Sequence, residues 1–321
     1  MKRVIINEVG LRDGLQSIDS IMSTADKCKW IDLSYEAGIR YMEVASFVPP
    51  KLLPQMADAS EVVAHALTYP DLKVTALVPN LIGAQRALDS GIHRLIAPLS
   101  ASEAHSLANV RKTPFEMIEE IHRILNLRNQ SNLDTEIIAG ISVAFGCTRQ
   151  GHVPLKYLLN LIQLLEEINI DMVSLADTTG YATPKQVEQT IQAVKKIIGG
   201  KLRSVHFHDT RGLAIANSII ALQQGIKEFD SSLAGLGGCP YAPGASGNAV
   251  TEDLTFLIES MGYQTGINLE KLLLIREFLQ TSLSNELLYG YIANAGIPKN
   301  YQSILEIFNQ EKKYIGDNEY V

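Results

Sequence analysis

Two histidines stand two residues apart in the apolar run Ser204-Val205-His206-Phe207-His208-Asp209. In a strand, alternate side chains share a face, so both imidazoles would project together while Phe207 points the other way. A same-face imidazole pair at the end of a buried strand is half of a divalent-metal site. Asp209 beside it would either back a ligand or hold the start of the next helix. A second chemical segment lies early in the chain: Glu8-Val9-Gly10-Leu11-Arg12-Asp13-Gly14-Leu15-Gln16. It sets carboxylates, a guanidinium and an amide just past an apolar run, although an exposed ion pair on a surface loop would read the same. The third segment, Gly235 to Asn248, holds five glycines and two prolines. Pro240 stands where a dinucleotide fingerprint needs its last glycine, and there is no Walker loop. The bland reading is a mobile surface loop. Yet the glycines leave Cys239 at a strand end, where a structural cysteine would rather be buried. Asn248 then opens a helix, either as its N-cap with Glu252 in the first turn or as an oxygen ligand to a metal.

Two other apolar runs end in polar side chains, one in Glu43 and Ser46, the other in Asp177, Thr178 and Thr179. Either carboxylate could serve chemistry or an ion pair within a core layer. Cys28 lies near Trp30 and Ile31 and reads as core, while Cys147 follows the fifth strand and could reach the site, with a bland core role favoured. His65, His93, His105, His122 and His152 read as solvated residues of helices and loops.

The elements that must position these groups follow from hydrophobic period. Short β-rich runs at 3–9, 40–47, 73–79, 94–100, 136–145, 172–177, 204–209 and 229–236 alternate with amphipathic stretches. One stretch ends on Gly38, a good residue just past a helix. Another opens Thr183-Pro184, an N-cap with proline at the first helical position, and closes on glycines. Eight strands alternating with helices predict a closed parallel (β/α)8 TIM barrel, with its chemistry at the C-terminal strand ends. One domain is expected over residues 1–321, with the barrel at 3–262 and additional C-terminal helices at 265–321.

Composition bounds the function. Apolar residues make up 46% and charged residues 20%, enough for a large core and against disorder. The net charge of -7 and the lack of basic runs argue against a nucleic-acid partner. No apolar run is long enough for a membrane span. The opening MKRVIINEVG turns directly into a strand pattern, so no secretory leader is expected. Three cysteines suit a reducing, cytoplasmic setting better than a disulfide framework.

Together, EVGLRDGLQS, ASFVPPKLLPQM, VHFHDTRGLAIAN and GLGGCPYAPGASGNAVTEDL resemble 3-hydroxy-3-methylglutaryl-CoA lyases. That family belongs to a superfamily of divalent-metal barrel lyases and Claisen-type condensing enzymes. The resemblance implies Mg2+ or Mn2+ held by Asp13, His206, His208 and Asn248, and an acyl-CoA substrate. It implies that Arg12 contacts the thioester oxygen and that Cys239 is an acid/base group. Asp177, His206 and Glu252 match positions linked to proton transfer. Gln16, Glu43, Ser46 and Thr178 match positions around the substrate. A homodimer is expected. Leu11, Asp19, Arg211 and Leu213 depart from the family pattern and bear on how the far end of the acyl group is held. A longer-chain 3-hydroxy-3-alkylglutaryl-CoA lyase or a condensing acyltransferase of the same fold are the rival readings. The segment after the fourth strand (Ser102, His105, Asn109, Arg111, Lys112) is the candidate CoA surface, because two cations follow a flexible stretch.

Overall fold

The computed structural model describes residues 2–237, 247–302 and 306–307. Eight strands run parallel: β1 (Ile5–Glu8), β2 (Tyr41–Ser46), β3 (Lys73–Leu77), β4 (Arg94–Ser100), β5 (Glu136–Ser142), β6 (Met172–Asp177), β7 (Leu202–Phe207) and β8 (Glu228–Ser231). Each pairs with the next, and β8 pairs back onto β1, closing the barrel. The helices are α1 (Thr24–Glu36), α2 (Ala59–Ala66), α3 (Leu81–Asp89), α4 (Glu103–Val110), α5 (Pro114–Gln130), α6 (Leu155–Glu167), α7 (Pro184–Ile198), α8 (Ala214–Gln223), α9 (Thr251–Ser260), α10 (Leu269–Ser282) and α11 (Tyr291–Ala295). Outward strand residues such as Val44, Leu95, Ile141, Leu175 and Val205 are buried beneath helix residues. Burial on both faces explains why the strands read as nearly continuous apolar runs.

All eight expected strands form, with two instructive differences at their ends. β7 stops at Phe207, so His208 lies beyond it in a single antiparallel bridge with Asn248. β8 stops at Ser231 rather than 236, because the chain turns through Leu233–Gly235 with Ala234 at φ 59°. The helix signals hold where side chains cap. Thr183 accepts from the Gln186 N–H ahead of Pro184, and Thr113 and Glu116 form a reciprocal capping box. α10 lays Leu272, Ile275 and Leu279 against the barrel helices.

The N-terminal end of the barrel opens into a cavity of about 1130 Å³. Its floor is sealed by Arg94, which reaches Glu136 and Glu228 across the strands. None of the expected site residues lines it. Lys195 lies in the last turn of α7, and its Nζ donates to the Gln224 carbonyl past α8. That pattern complements helix C-termini, so this end serves stability.

Gly38 follows α1 with φ +100°, and an added Cβ would lie 2.2 Å from the Gly266 carbonyl oxygen. Both strain and backbone collision oppose a side chain there. Gly38→Ala is expected to lose about 2 kcal/mol or more, read as a lower urea midpoint. An unchanged midpoint would refute this account of the turn.

Candidate metal centre and its supports

Directly after β1 the chain makes a π-helical turn, Gly10–Gly14. Gly10 is required because a Cβ would lie 2.6 Å from Glu8 Oε1, 2.7 Å from Trp30 and 2.9 Å from Ser232 Oγ. The Asp13 N–H donates to the Val9 carbonyl at 2.7 Å. This winds Arg12 and Asp13 over the barrel mouth, where such turns often mark function.

Asp13, His206 and His208 bring one ligand atom each within 4.8 Å of one another. Both Nε2 atoms lie 3.9 Å from Asp13 Oδ2, and the two rings stand 5.0 Å apart. Asn248 joins them, with Nδ2 donating to Asp13 Oδ2 at 2.8 Å and to the Leu236 carbonyl at 3.1 Å. Its oxygen would become a ligand only if the amide turned over. His206 Nδ1 meets Asp230 Oδ2 at 3.2 Å, and Asn7 Nδ2 donates to Asp230 Oδ1 at 2.8 Å. A carboxylate behind one ring nitrogen is how metal-ligating histidines are oriented.

Charge on the cluster is strongly biased. Burial works against ionised Asp13, but Arg12 and the two histidines outweigh it and hold its carboxyl well below the ordinary range. Burial also disfavours a charged His206, yet the Asp230 hydrogen bond and Asp13 raise it above its ordinary value. His208 is pushed down to about 3 by burial and by His206. It is therefore neutral, and its buried Nδ1 lacks a partner among the described residues. One carboxylate oxygen and two imidazole nitrogens on one small volume fit a divalent cation.

Arg12 flanks the cluster. Its Nε and Nη2 grip Glu43 at 2.6 and 2.8 Å, while Nη1 donates to Asp13 Oδ1 at 2.6 Å. Burial opposes the guanidinium charge, but Glu43 and Asp13 more than offset this and raise its pKa. Glu43 is thus an ion-pair partner, and the pair it makes is part of the site.

Three buried carboxylates shape the surrounding backbone. Glu8 accepts from Gly10 N at 2.9 Å, from Leu233 N at 3.0 and 3.1 Å, and from Thr251 Oγ1 at 2.6 Å. Glu252 accepts from Ala234 N at 3.1 and 3.2 Å and faces Arg276 at 3.6 Å. Asp177 accepts from Tyr181 N and Ala182 N at 2.8 and 3.1 Å. Burial pushes Glu8 and Glu252 up to about 7 and Asp177 up to about 6.

The structure sorts the remaining sequence expectations. Ser46 is fully buried with its hydroxyl unpartnered among the described residues. Thr178 Oγ1 accepts the Val143 N–H, and Gln16 is half-buried beyond the turn. Cys239 lies outside the described residues. Asn248 does not cap a helix, since α9 starts at Thr251 behind Val250. Asp209 holds the start of α8 through the Ala214 N–H. Cys28 is half-buried rather than core, whereas Cys147 is fully buried as expected. His105 is buried, not solvated, because its ring lies on Ser100 Oγ at 3.0 Å. The segment expected to be flexible there is α4, capped by Ser102, and Lys112 is engaged by Glu120. Arg211 lies over Tyr181 and donates to the Thr179 and Gly180 carbonyls, bracing the loop after β6. Sequence reasoning missed Asp230 and underrated Glu8. The alternation Glu228-Phe229-Asp230 repeats the inward polar period of the histidine strand and was the available signal.

The family profile described as HMGL-like matches residues 3–279. The hydroxymethylglutaryl-CoA lyase of Bacillus subtilis is 41% identical over 286 residues, 89% of this chain and 95% of that one. A crystal structure of the B. subtilis HMG-CoA lyase superposes with a TM-score of 0.87 at 39% identity, covering 92% of this chain and 98% of that one. An Acinetobacter baumannii HMG-CoA lyase in complex with coenzyme A and 3-methylmalate gives 0.86 at 34% identity, covering 94% and 97%.

Glu8 generates a pH prediction. Its folded pKa lies above its ordinary 4.5, so its protonated form contributes stability fully present below 4.5 and lost as pH rises through about 7. Glu252 acts over the same window, and Asp177 in the same direction from 3.8 to about 6. Stability should fall by roughly 3 kcal/mol at most per such group across that window. In Glu8→Gln, the difference in urea midpoint between the two ends of the window should shrink. An equal difference in both proteins would dismiss the assignment.

Proposed function

The chain belongs to the HMGL-like family, and we propose that it cleaves 3-hydroxy-3-methylglutaryl-CoA to acetyl-CoA and acetoacetate as a hydroxymethylglutaryl-CoA lyase. The observation that carries the reading is the convergence of Asp13, His206 and His208 beside the buried Arg12 guanidinium. Related lyases of this fold, one of them solved with coenzyme A, support an acyl-CoA substrate.

Cleavage breaks the bond between the tertiary carbinol carbon and the adjacent methylene of the thioester. The hydroxyl loses its proton as the ketone of acetoacetate forms. The electron pair leaves on the methylene carbon, delocalised into the thioester oxygen, and a proton then completes acetyl-CoA. Asp13, His206, His208 and Asn248 are the residues that would hold Mg2+ or Mn2+, and such an ion stabilises negative charge developing on the substrate hydroxyl oxygen. Arg12 sets a fixed positive charge where the thioester oxygen gains charge. Glu43 holds the guanidinium plane in place bidentately. His206 would face the ion with Nε2 while Asp230 engages its Nδ1, so we assign it to holding the ion rather than to exchanging the hydroxyl proton. Cys239 is assigned the proton delivered to the enolate carbon. Asp177 and Glu252 spend their oxygens on backbone N–H groups, so we assign them to positioning rather than to proton transfer.

A single-domain, cytoplasmic homodimer without nucleic-acid or membrane partners completes the proposal. Among the described residues, no helix is long and apolar enough to cross a membrane. A condensing acyltransferase is the rival reading. Its product is free CoA, whereas cleavage releases acetyl-CoA, so a product assay separates them.

Two variants test the assignment. Arg12→Gln should retain Mn2+ binding and lose about 10²–10³-fold in kcat, the cost of removing an oxyanion donor. Retained turnover, or turnover insensitive to chelator in the parent protein, would remove the mechanism. Asp230→Asn should fold normally and bind Mn2+ about 10–100-fold more weakly, because His206 loses its anchor. Unaltered Mn2+ affinity in a calorimetric titration would reject the anchoring role.

A further inference from the structure

The β8–β1 pair closes the barrel, and α10 and α11 lie beyond that closure in the chain. The segment after α10 nevertheless returns to the mouth. Ser20 Oγ, past the turn that carries Arg12 and Asp13, donates to Glu286 Oε1. The Tyr289 N–H donates to the Ala234 carbonyl at 2.7 Å. The Tyr291 and Ile292 N–H groups donate to the Asp253 carboxylate in the first turn of α9, at 2.8 Å each. Residues 286–292 thus tie the exit of β1, the turn after β8 and the start of α9 together.

One side chain of α10 organises these ties. Arg276 Nη1 donates to the Tyr289 carbonyl and lies 3.6 Å from Glu252 Oε1. Glu252 in turn accepts the Ala234 N–H. Ala234 is therefore gripped at both its N–H, by Glu252, and its carbonyl, by Tyr289, and Arg276 joins the two grips into a ring. Ala234 has φ 59°, a left-handed conformation disfavoured for any residue with a Cβ. Such a conformation persists only where its surroundings over-determine it. Packing around the ring is close. A Cβ on Gly235 would come within 3.0 Å of Val250 and 3.2 Å of Tyr289, and one on Gly290 within 3.1 Å of Val250. The Glu252 side chain is fully buried and that of Arg276 only 12% exposed, so neither charge is free to find water instead.

The turn so held backs Asn248. The Ser232 N–H donates to the Ala249 carbonyl at 2.9 Å and the Thr251 N–H to the Ser232 carbonyl at 3.0 Å, so the turn and the 248–251 segment are stitched together. The Leu236 carbonyl, at the exit of the turn, receives the Asn248 amide. We propose that Arg276 is a positioning residue for the assigned metal ligand Asn248, acting through Tyr289 and Glu252 on the Ala234 turn. The inference rests on the lyase reading and extends its site to the C-terminal helices. A neutral side chain at position 276 leaves Glu252 without the cation that faces it and the Tyr289 carbonyl without its donor. The ring opens, Ala234 keeps its left-handed conformation less firmly, and the backbone on either side of Asn248 loses its register against Asp13.

The test is a calorimetric Mn2+ titration of the parent protein, Arg276→Met, Arg276→Lys, Asn248→Ala and the double variant Arg276→Met with Asn248→Ala. Arg276→Met should bind Mn2+ about tenfold more weakly, in the range found when a residue supporting a ligand is lost. Arg276→Lys keeps the charge and should recover most of that loss. In the Asn248→Ala background Arg276→Met should cost nothing further, because the residue it acts through is gone. If Arg276→Met does not fold, Arg276→Gln, which keeps an N–H donor but no charge, carries the same comparison. A lower urea midpoint with unchanged Mn2+ affinity would make Arg276 a brace for the fold alone and overturn the proposal. Equal losses of affinity with and without Asn248 would overturn it too. A parent protein that binds Mn2+ but releases no acetyl-CoA breaks the lyase reading instead, and the titration still decides Arg276. A parent protein that binds no Mn2+ overturns both.

Discussion

One carboxylate sets the geometry on which the rest of the site depends. Glu8 takes hydrogen bonds from Gly10, Leu233 and Thr251, three segments far apart in sequence. Gly10 opens the turn that carries Arg12 and Asp13. Leu233 begins the path to Leu236, whose carbonyl receives the Asn248 amide. Thr251 opens α9, three residues after Asn248. A shift of any one segment would therefore leave a buried acceptor or donor unpaired, which is costlier than the hydrogen bond itself is favourable. The carboxylate is expensive to bury, but no apolar side chain could satisfy the two backbone N–H groups and the hydroxyl that point at it. What it supplies is registration of a π-turn, a strand exit and a helix start.

The same economy governs Asp13. Its two oxygens have different partners: Oδ1 faces the Arg12 guanidinium at 2.6 Å, and Oδ2 faces Asn248 and both histidines. Positive charge thus sits on one side of the carboxylate and imidazole nitrogen on the other. Glu43 prevents Arg12 from collapsing further onto Asp13 by gripping it from behind. The result is a guanidinium held beside the cluster with its direction already fixed. Preorganisation of this kind spares reorganisation when charge develops on substrate.

Much of this was legible in the chain. Short β-rich apolar runs located the barrel strands, and period-two alternation put His206 and His208 on one face, which survives even though His208 lies past the end of β7. Arg12 and Asp13 were visible because unlike charges directly follow an apolar run. The roles of Glu43, Asp177 and Glu252 were not legible, since a carboxylate that pairs, caps or reacts looks the same in one dimension. Asn248 read either as a helix cap or as a metal ligand, and the cap alternative fails because α9 begins only at Thr251, a boundary set by where the glycine-rich segment rejoins the fold. His105 was misread because its burial comes from Ser100, five residues earlier on the strand, through packing that helical periodicity does not encode. Asp230 escaped because its meaning exists only across the β7–β8 pairing with His206.

The barrel divides its labour by strand. Ionised and imidazole groups crowd one side, where Arg12, Glu43, Asp13, His206 and Asp230 form a connected set. The facing strands present Ile96, Pro98, Gly140 and Ala176 with scattered hydroxyls. A substrate whose reacting oxygens lie together and whose carbon chain extends from them fits that asymmetry. Placing Arg12, Asp13 and the imidazoles on one side concentrates the field where the carbon–carbon bond breaks. Had charges lined the whole mouth, their attractions would have cancelled at its centre, and the thioester oxygen would have met no preferred direction. The asymmetry is therefore itself a functional element, written into the alternation of eight strands rather than into any single side chain.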